Sequence, residues 1–117
     1  MIYGYARVST DNQTLESQIE ALKAAGADRI FQEKVSGAKT DRQELKRALA
    51  KLGNGDMLMV TRLDRLARST RDLLDILDRT AKAGAGFRSL TEAWADTTTP
   101  HGRLVTTIMA GFAEFER

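Results

Sequence analysis

Ile2-Tyr3-Gly4-Tyr5-Ala6-Arg7-Val8-Ser9 runs directly into Thr10-Asp11-Asn12-Gln13-Thr14-Leu15. Tyr3, Tyr5, Arg7 and Ser9 fall on one side of a period-two alternation, with Ile2, Gly4, Ala6 and Val8 on the other, which is the pattern of a strand. Thr10-x-x-Gln13 has the form of a capping box, and Leu15, Ile19 and Leu22 repeat at helical spacing until Gly26 stops them. The same strand-then-helix reading recurs outward from this junction. Residues 29–33 form a short strand, and the polar stretch 35–41 leads to a helix capped by Thr40 or Asp41, with Leu45, Ala48, Leu49 and Leu52 on one face. Gly53-Asn54-Gly55-Asp56 signals a turn. Residues 57–61 read as a buried strand and 66–82 as a helix with Leu73, Ile76, Leu77 and Ala81 toward the core. Residues 87–91 read as a fourth strand, and Thr99-Pro100 as the N-cap and first turn of a last helix. This alternation predicts an α/β fold: a mostly parallel, four- or five-stranded sheet covered by helices, in one domain over 1–117.

Composition narrows the chemistry. At 117 residues, 42% hydrophobic and 29% charged, the chain suffices for one domain with a real core. The absence of cysteine excludes disulfides, thiol nucleophiles, cysteine-based zinc sites and Fe–S clusters, and fits a reducing compartment. His101 is the sole histidine, so sites needing several imidazoles are out and a Ser-His-Asp triad would have to recruit that residue. The start of the chain has no basic segment leading into a long apolar run, and no apolar run approaches ~20 residues, so a cytoplasmic chain without membrane span is expected.

Formal net charge is only +2, yet residues 57–71 alone carry +3, with Arg62, Arg65, Arg68 and Arg71 against Asp64. Arginine outnumbers lysine twelve to six, and its planar fork suits phosphate or carboxylate. The run also fits a solvated helix face. In the last helix, Leu104, Val105, Ile108, Met109, Phe112 and Phe115 form an apolar stripe with no stop signal after it. Either the helix ends there against the sheet, or it is a longer dimerisation helix cut at residue 117.

Ligands of open parallel sheets gather beyond the carboxyl ends of the strands. There the chain delivers Arg7 and Ser9 from the first strand, the run Arg62 to Arg68 from the third, and Ser36, Asp41 and Arg42 from the loop before the second helix. A hydroxyl among arginines is a coherent centre for attack on a phosphodiester, because arginines offset the charge of the transition state. Each piece also has a plainer role. Ser9 and Thr10 fit a helix N-cap, Gln13 a capping box, Tyr5 sheet packing, and Leu63 and Leu66 the core. Arg68 with Asp72, Asp75 with Arg79 and Asp78 with Lys82 fit helical ion pairs, and His101 a surface position.

Taken together, Tyr5-Ala6-Arg7-Val8-Ser9-Thr10, Gln13 and Gln18, Ser36-Gly37 with Thr40-Asp41-Arg42, Leu63-Asp64-Arg65-Leu66-Ala67-Arg68, and Ala113-Glu114-x-Glu116-Arg117 resemble the catalytic domain of the resolvase/invertase family of serine site-specific recombinases. The resemblance covers essentially the whole chain, departing mildly at Ala67, where many members have glycine. It implies that Ser9 attacks the scissile phosphate to form a phosphoserine link to the DNA 5′ end. Arg7, Arg65 and Arg68 would grip that phosphate, and Arg42 would approach as the site assembles. Asp64 would orient these arginines, and Tyr5, Gln13, Gln18, Ser36, Lys51 and Arg117 would support them. It further implies double-stranded DNA as partner, a homodimer that forms a homotetramer in synapsis, association with the bacterial nucleoid, no cofactor and no metal. The C-terminal DNA-binding domain of the family would be absent from this chain. The competing readings are a flavodoxin-like cofactor- or phosphate-binding module using the glycine-free loop 9–14, and a non-catalytic regulatory domain on the same fold.

Overall fold

The structure is a computed structural model, and it describes residues 1–8, 12–34, 42–67 and 69–115. Strands β1 (Ile2–Val8), β2 (Arg29–Lys34), β3 (Met57–Val60) and β4 (Gly86–Ser89) form one parallel sheet of four strands in the order β2-β1-β3-β4. Helix α1 (Asn12–Ala24) follows β1, α2 (Gln43–Lys51) follows β2, α3 (Thr70–Lys82) follows β3 and α4 (Pro100–Phe115) follows β4. The predicted alternation is thus observed in full.

Helices cover both faces. Beneath α1, Ala6, Leu22 and Met59 are buried together with Ile2, Leu15, Ile19 and Ile30 packed around them. Gly4 sits under this helix, where an added Cβ would lie 3.1 Å from Leu22, so the absent side chain sets how closely α1 approaches the sheet. On the other face Tyr3, Tyr5, Phe31, Leu58, Val60 and Phe87 pack against Leu45, Ala48 and Leu49 of α2 and Ile76 of α3. Leu58, Met59 and Val60 are fully buried, as expected of a central strand covered on both sides. The outer edge of β4 is covered by the returning chain, which forms an antiparallel bridge between Arg88 and Asp96.

Two expected boundaries are corrected. The helix read over 66–82 is instead a 3-10 turn (Leu63–Arg65) followed by α3, because Ser69 caps the later start by accepting a hydrogen bond from the Asp72 amide. The N-cap position of α2 is Arg42, one residue beyond Asp41 and two beyond Thr40, which lie outside the described residues along with Thr10. Smaller shifts of one or two residues occur at the ends of β2, β3 and β4.

Helix α4 packs on α3. Gly102 and Thr106 are buried one turn apart, while Leu104 and Ile108 are 60% and 48% exposed. Part of the predicted apolar stripe therefore faces away from the domain; the side chains of Met109, Phe112 and Phe115 lie outside the described set. Among the described residues no helix is long and apolar enough to cross a membrane.

Candidate active site

In the strand order, β2 lies on one side of β1 and β3 on the other. The connections leaving the carboxyl ends of β1 and β3 therefore diverge and open a crevice, the usual ligand position in such sheets. Arg7 stands near the end of β1, and the 3-10 turn follows β3 after two residues. Arg7 Nη2 donates to the Asp64 carbonyl at 2.7 Å, so this side chain bridges the two strand ends. A three-residue turn leaves carbonyls without internal partners. Arg7 takes one of them, and Arg42 Nη1 takes a second, the Leu66 carbonyl, at 2.9 Å. A hydrogen bond to a carbonyl orients a guanidinium without neutralising it, and leaves donors of its five for an anion.

Arg42 is the more enclosed of the two. Its Nη2 donates to Asp72 Oδ1 at 2.7 Å with the side chain 11% exposed. That carboxylate raises the Arg42 guanidinium above its ordinary value. Because Arg42 makes no side-chain cap for α2, an amide of the first helical turn finds its acceptor elsewhere: Glu33 Oε1 receives the Glu44 N–H at 3.1 Å. Glu33 is buried and lies opposite Arg7 in the β1–β2 register. Its Oε2 accepts the Tyr5 hydroxyl at 2.5 Å. Burial first, and then the Glu33 carboxylate, push the Tyr5 hydroxyl well above its usual range. Tyr5 is thus a fixed hydrogen-bond donor and no base.

Gln18 of α1 steadies the end of β1. Its Nε2 donates to the Arg7 carbonyl at 2.9 Å and its Oε1 accepts the Arg7 amide at 3.1 Å. The β1–β3 pairing ends at Tyr5 and Val60, so this amide holds backbone just past the paired segment. The Asp64 carboxylate is exposed and engaged by Arg62 Nη2 at 2.8 Å, while Arg65 is half-buried in the same turn.

Of the residues expected in the site, the structure gathers Tyr5, Arg7, Gln18, Arg42, Asp64 and Arg65 at the carboxyl edge. Lys51 is exposed in the last turn of α2, about 12 Å along the helix from its start, and is not brought to them. Ser9, Ser36, Arg68 and Arg117 lie outside the described residues, as does the side chain of Gln13. Three contributors were missed: Glu33, Asp72 and Glu92, the last accepting the Leu63 amide at 3.1 Å. Two left a signal. Glu33 occupies an inward position of its strand, where an acid requires partners, and Ser69-x-x-Asp72 is a helix-start pattern.

A family model described as the resolvase N-terminal domain matches residues 2–117. The chain is 42% identical over 121 residues to a resolvase of Clostridium perfringens, covering 100% of this chain and 64% of that protein. It is 46% identical over 117 residues to the serine recombinase gin of Escherichia phage Mu, covering 100% of this chain and 60% of the phage protein. The chain therefore spans about three fifths of the length of these relatives. Among solved structures it superposes on the N-terminal catalytic domain of TP901-1 integrase with a TM-score of 0.80 at 32% identity, covering 99% of this chain and 95% of that one.

Proposed function

The chain belongs to the resolvase N-terminal domain family, and from that premise we propose that it is the catalytic domain of a site-specific serine recombinase that cuts and rejoins DNA. The observation that carries this reading is the Arg7 bridge from the end of β1 to the turn bearing Asp64 and Arg65. It sets an oriented cation two residues before Ser9.

Ser9 Oγ attacks the scissile phosphorus, the bond to the 3′ oxygen breaks, and the 3′ oxygen leaves with a proton as the 5′ phosphate becomes a serine ester. Attack by a 3′ hydroxyl of the partner strand reverses the step and returns Ser9, so the phosphodiester energy is conserved in the covalent intermediate. Arg7, Arg65 and Arg68 hold the non-bridging oxygens and offset the charge of the transition state. Arg42 joins them as the site assembles. Asp64, paired with Arg62, restrains the turn from which these arginines project. Gln13 and Gln18 support the segment that bears Ser9, Tyr5 holds Glu33 and through it the start of α2, and Ser36 and Arg117 are secondary.

The substrate is double-stranded DNA, acted on by a homodimer that pairs into a homotetramer, in the cytoplasm on the nucleoid. The exposed Leu104 and Ile108 on α4 supply an apolar face for that assembly. The test is cleavage by the full-length protein of nicked DNA carrying its recombination site, in the presence of EDTA. A denaturant-stable protein–DNA adduct is expected from the native protein, and none from Ser9→Ala. An adduct that persists in Ser9→Ala, or that requires a metal ion, overturns the reading.

A further inference from the structure

We propose that Glu92 is a positioning residue for the reaction, acting through the 3-10 turn that carries Asp64 and Arg65; the inference rests on the recombinase reading above. The turn begins at Leu63, and its N-cap residue Arg62 supplies no side-chain cap. Glu92, from the loop after β4, fills that role from a distance of 29 residues: its Oε1 accepts the Leu63 amide at 3.1 Å.

Glu92 is itself well fixed. The same Oε1 accepts the hydroxyl of Ser89 at 2.5 Å, and Ser89 is 1% exposed at the end of β4. The Glu92 carbonyl accepts the Ala95 amide at 2.9 Å, while the Leu90 and Thr91 amides bond to the Val60 and Thr61 carbonyls at 2.9 Å. The loop is therefore stitched to the end of β3, the strand that delivers the turn. Only the amino end of the turn is held this way. Its later carbonyls, Asp64 and Leu66, are bound by Arg7 and Arg42, the two arginines assigned to the phosphate. The Glu92 bond therefore holds Asp64 and Arg65 in register with the end of β1 by a tie that is independent of the phosphate-binding arginines.

Both Glu92 bonds use one oxygen as acceptor, so an amide oxygen in the same place suffices. This gives the proposal its test, made in the full-length protein on nicked recombination-site DNA at saturating concentration. Glu92→Ala is expected to slow formation of the covalent adduct by about tenfold or more, with DNA affinity within about twofold of native. Glu92→Gln is expected to restore the rate to within about threefold. Amide hydrogen exchange at Leu63, followed in parallel, is expected to be slow in the native protein and in Glu92→Gln, and fast in Glu92→Ala; it also reads the bond in a variant of reduced stability. Ser89→Ala, which removes one anchor and spares the turn, is expected to give an intermediate rate.

Native adduct rates in Glu92→Ala overturn the proposal. So do equally slow rates in Glu92→Ala and Glu92→Gln, which assign the effect to charge, and unchanged Leu63 exchange in Glu92→Ala. Failure of the recombinase reading itself is distinguished by the absence of any Ser9-dependent adduct in the native protein.

Discussion

The two ends of the sheet share one device and differ in another. At the amino ends of the strands, carboxylates accept from N–H groups: Asp56 receives the amino terminus at 3.0 Å and the Gly53 amide at 2.9 Å, and Asp28 receives the Ile2 amide at 2.8 Å. At the carboxyl ends carboxylates also accept amides, Glu92 from Leu63 and Glu33 from Glu44, but arginines are added to them: Arg7 donates to the Asp64 carbonyl and Arg42 to the Leu66 carbonyl. At the first end the acid meets a cation in the amino terminus, and the ends of the loops are simply closed. At the second end the Asp64 carbonyl aims the Arg7 guanidinium without neutralising it, whereas Arg42 is held both by the Leu66 carbonyl and by the Asp72 carboxylate. The amino end holds the fold together, and the arginines added at the carboxyl end suit the anion of the proposed reaction.

Substitutions at the two ends should therefore separate activity from stability. The largest effect expected is at Arg7. Arg7→Ala should slow covalent DNA cleavage by roughly 100-fold while the midpoint of thermal unfolding moves little, and Arg7→Lys should not rescue it, since a single ammonium cannot span carbonyl and phosphate as a fork does. Away from both ends, Gly102→Ala offers the reverse signature. An added Cβ would run into the Asp96 carbonyl, so a loss of about 3 kcal/mol in denaturant unfolding is expected, with native cleavage rates when assayed below the unfolding transition.

Tyr5→Phe lies between these extremes. It leaves Glu33 with one partner fewer at a buried position, and should cost about 1.5 kcal/mol together with a several-fold drop in cleavage, because Glu33 also holds the start of α2. The smallest effect belongs to the amino end. The amino terminus first, and then the Gly53 amide, lower the Asp56 carboxyl below its ordinary value. A lowered folded-state value means stability that is present above the ordinary carboxylate range and lost as pH falls through the folded value. Asp56→Asn should thus lower the unfolding midpoint slightly at neutral pH, and the gap between variant and native protein should close as the pH falls through that lowered value. Its cleavage rate should be native.

Much of this was legible from the sequence, because period-two and helical spacing are local and the strand-helix alternation is strict. The first strand, the helix that follows it and the placing of Arg7, Arg42, Asp64 and Arg65 near one edge follow from neighbours in the chain. What the pattern hides is long-range. Apolar spacing alone carries Leu66 and Leu73 into one helix, yet Ser69 competes for the backbone and starts α3 later, leaving the 3-10 turn on which the arginines converge. Glu92 gives no local sign of its role, since its partner Leu63 is 29 residues away. Arg42 reads as a loop cation, and only the fold shows it locked between the turn and Asp72.

The central claim is that Ser9, one residue past β1, is the nucleophile that these arginines serve. The most direct measurement is to trap the protein–DNA adduct in denaturant, digest both components and locate the modified residue by mass spectrometry. The account predicts a nucleotide esterified through its 5′ phosphate to Ser9. A nucleotide on Tyr5, Thr10 or Ser36, or a linkage through a 3′ phosphate, would contradict it.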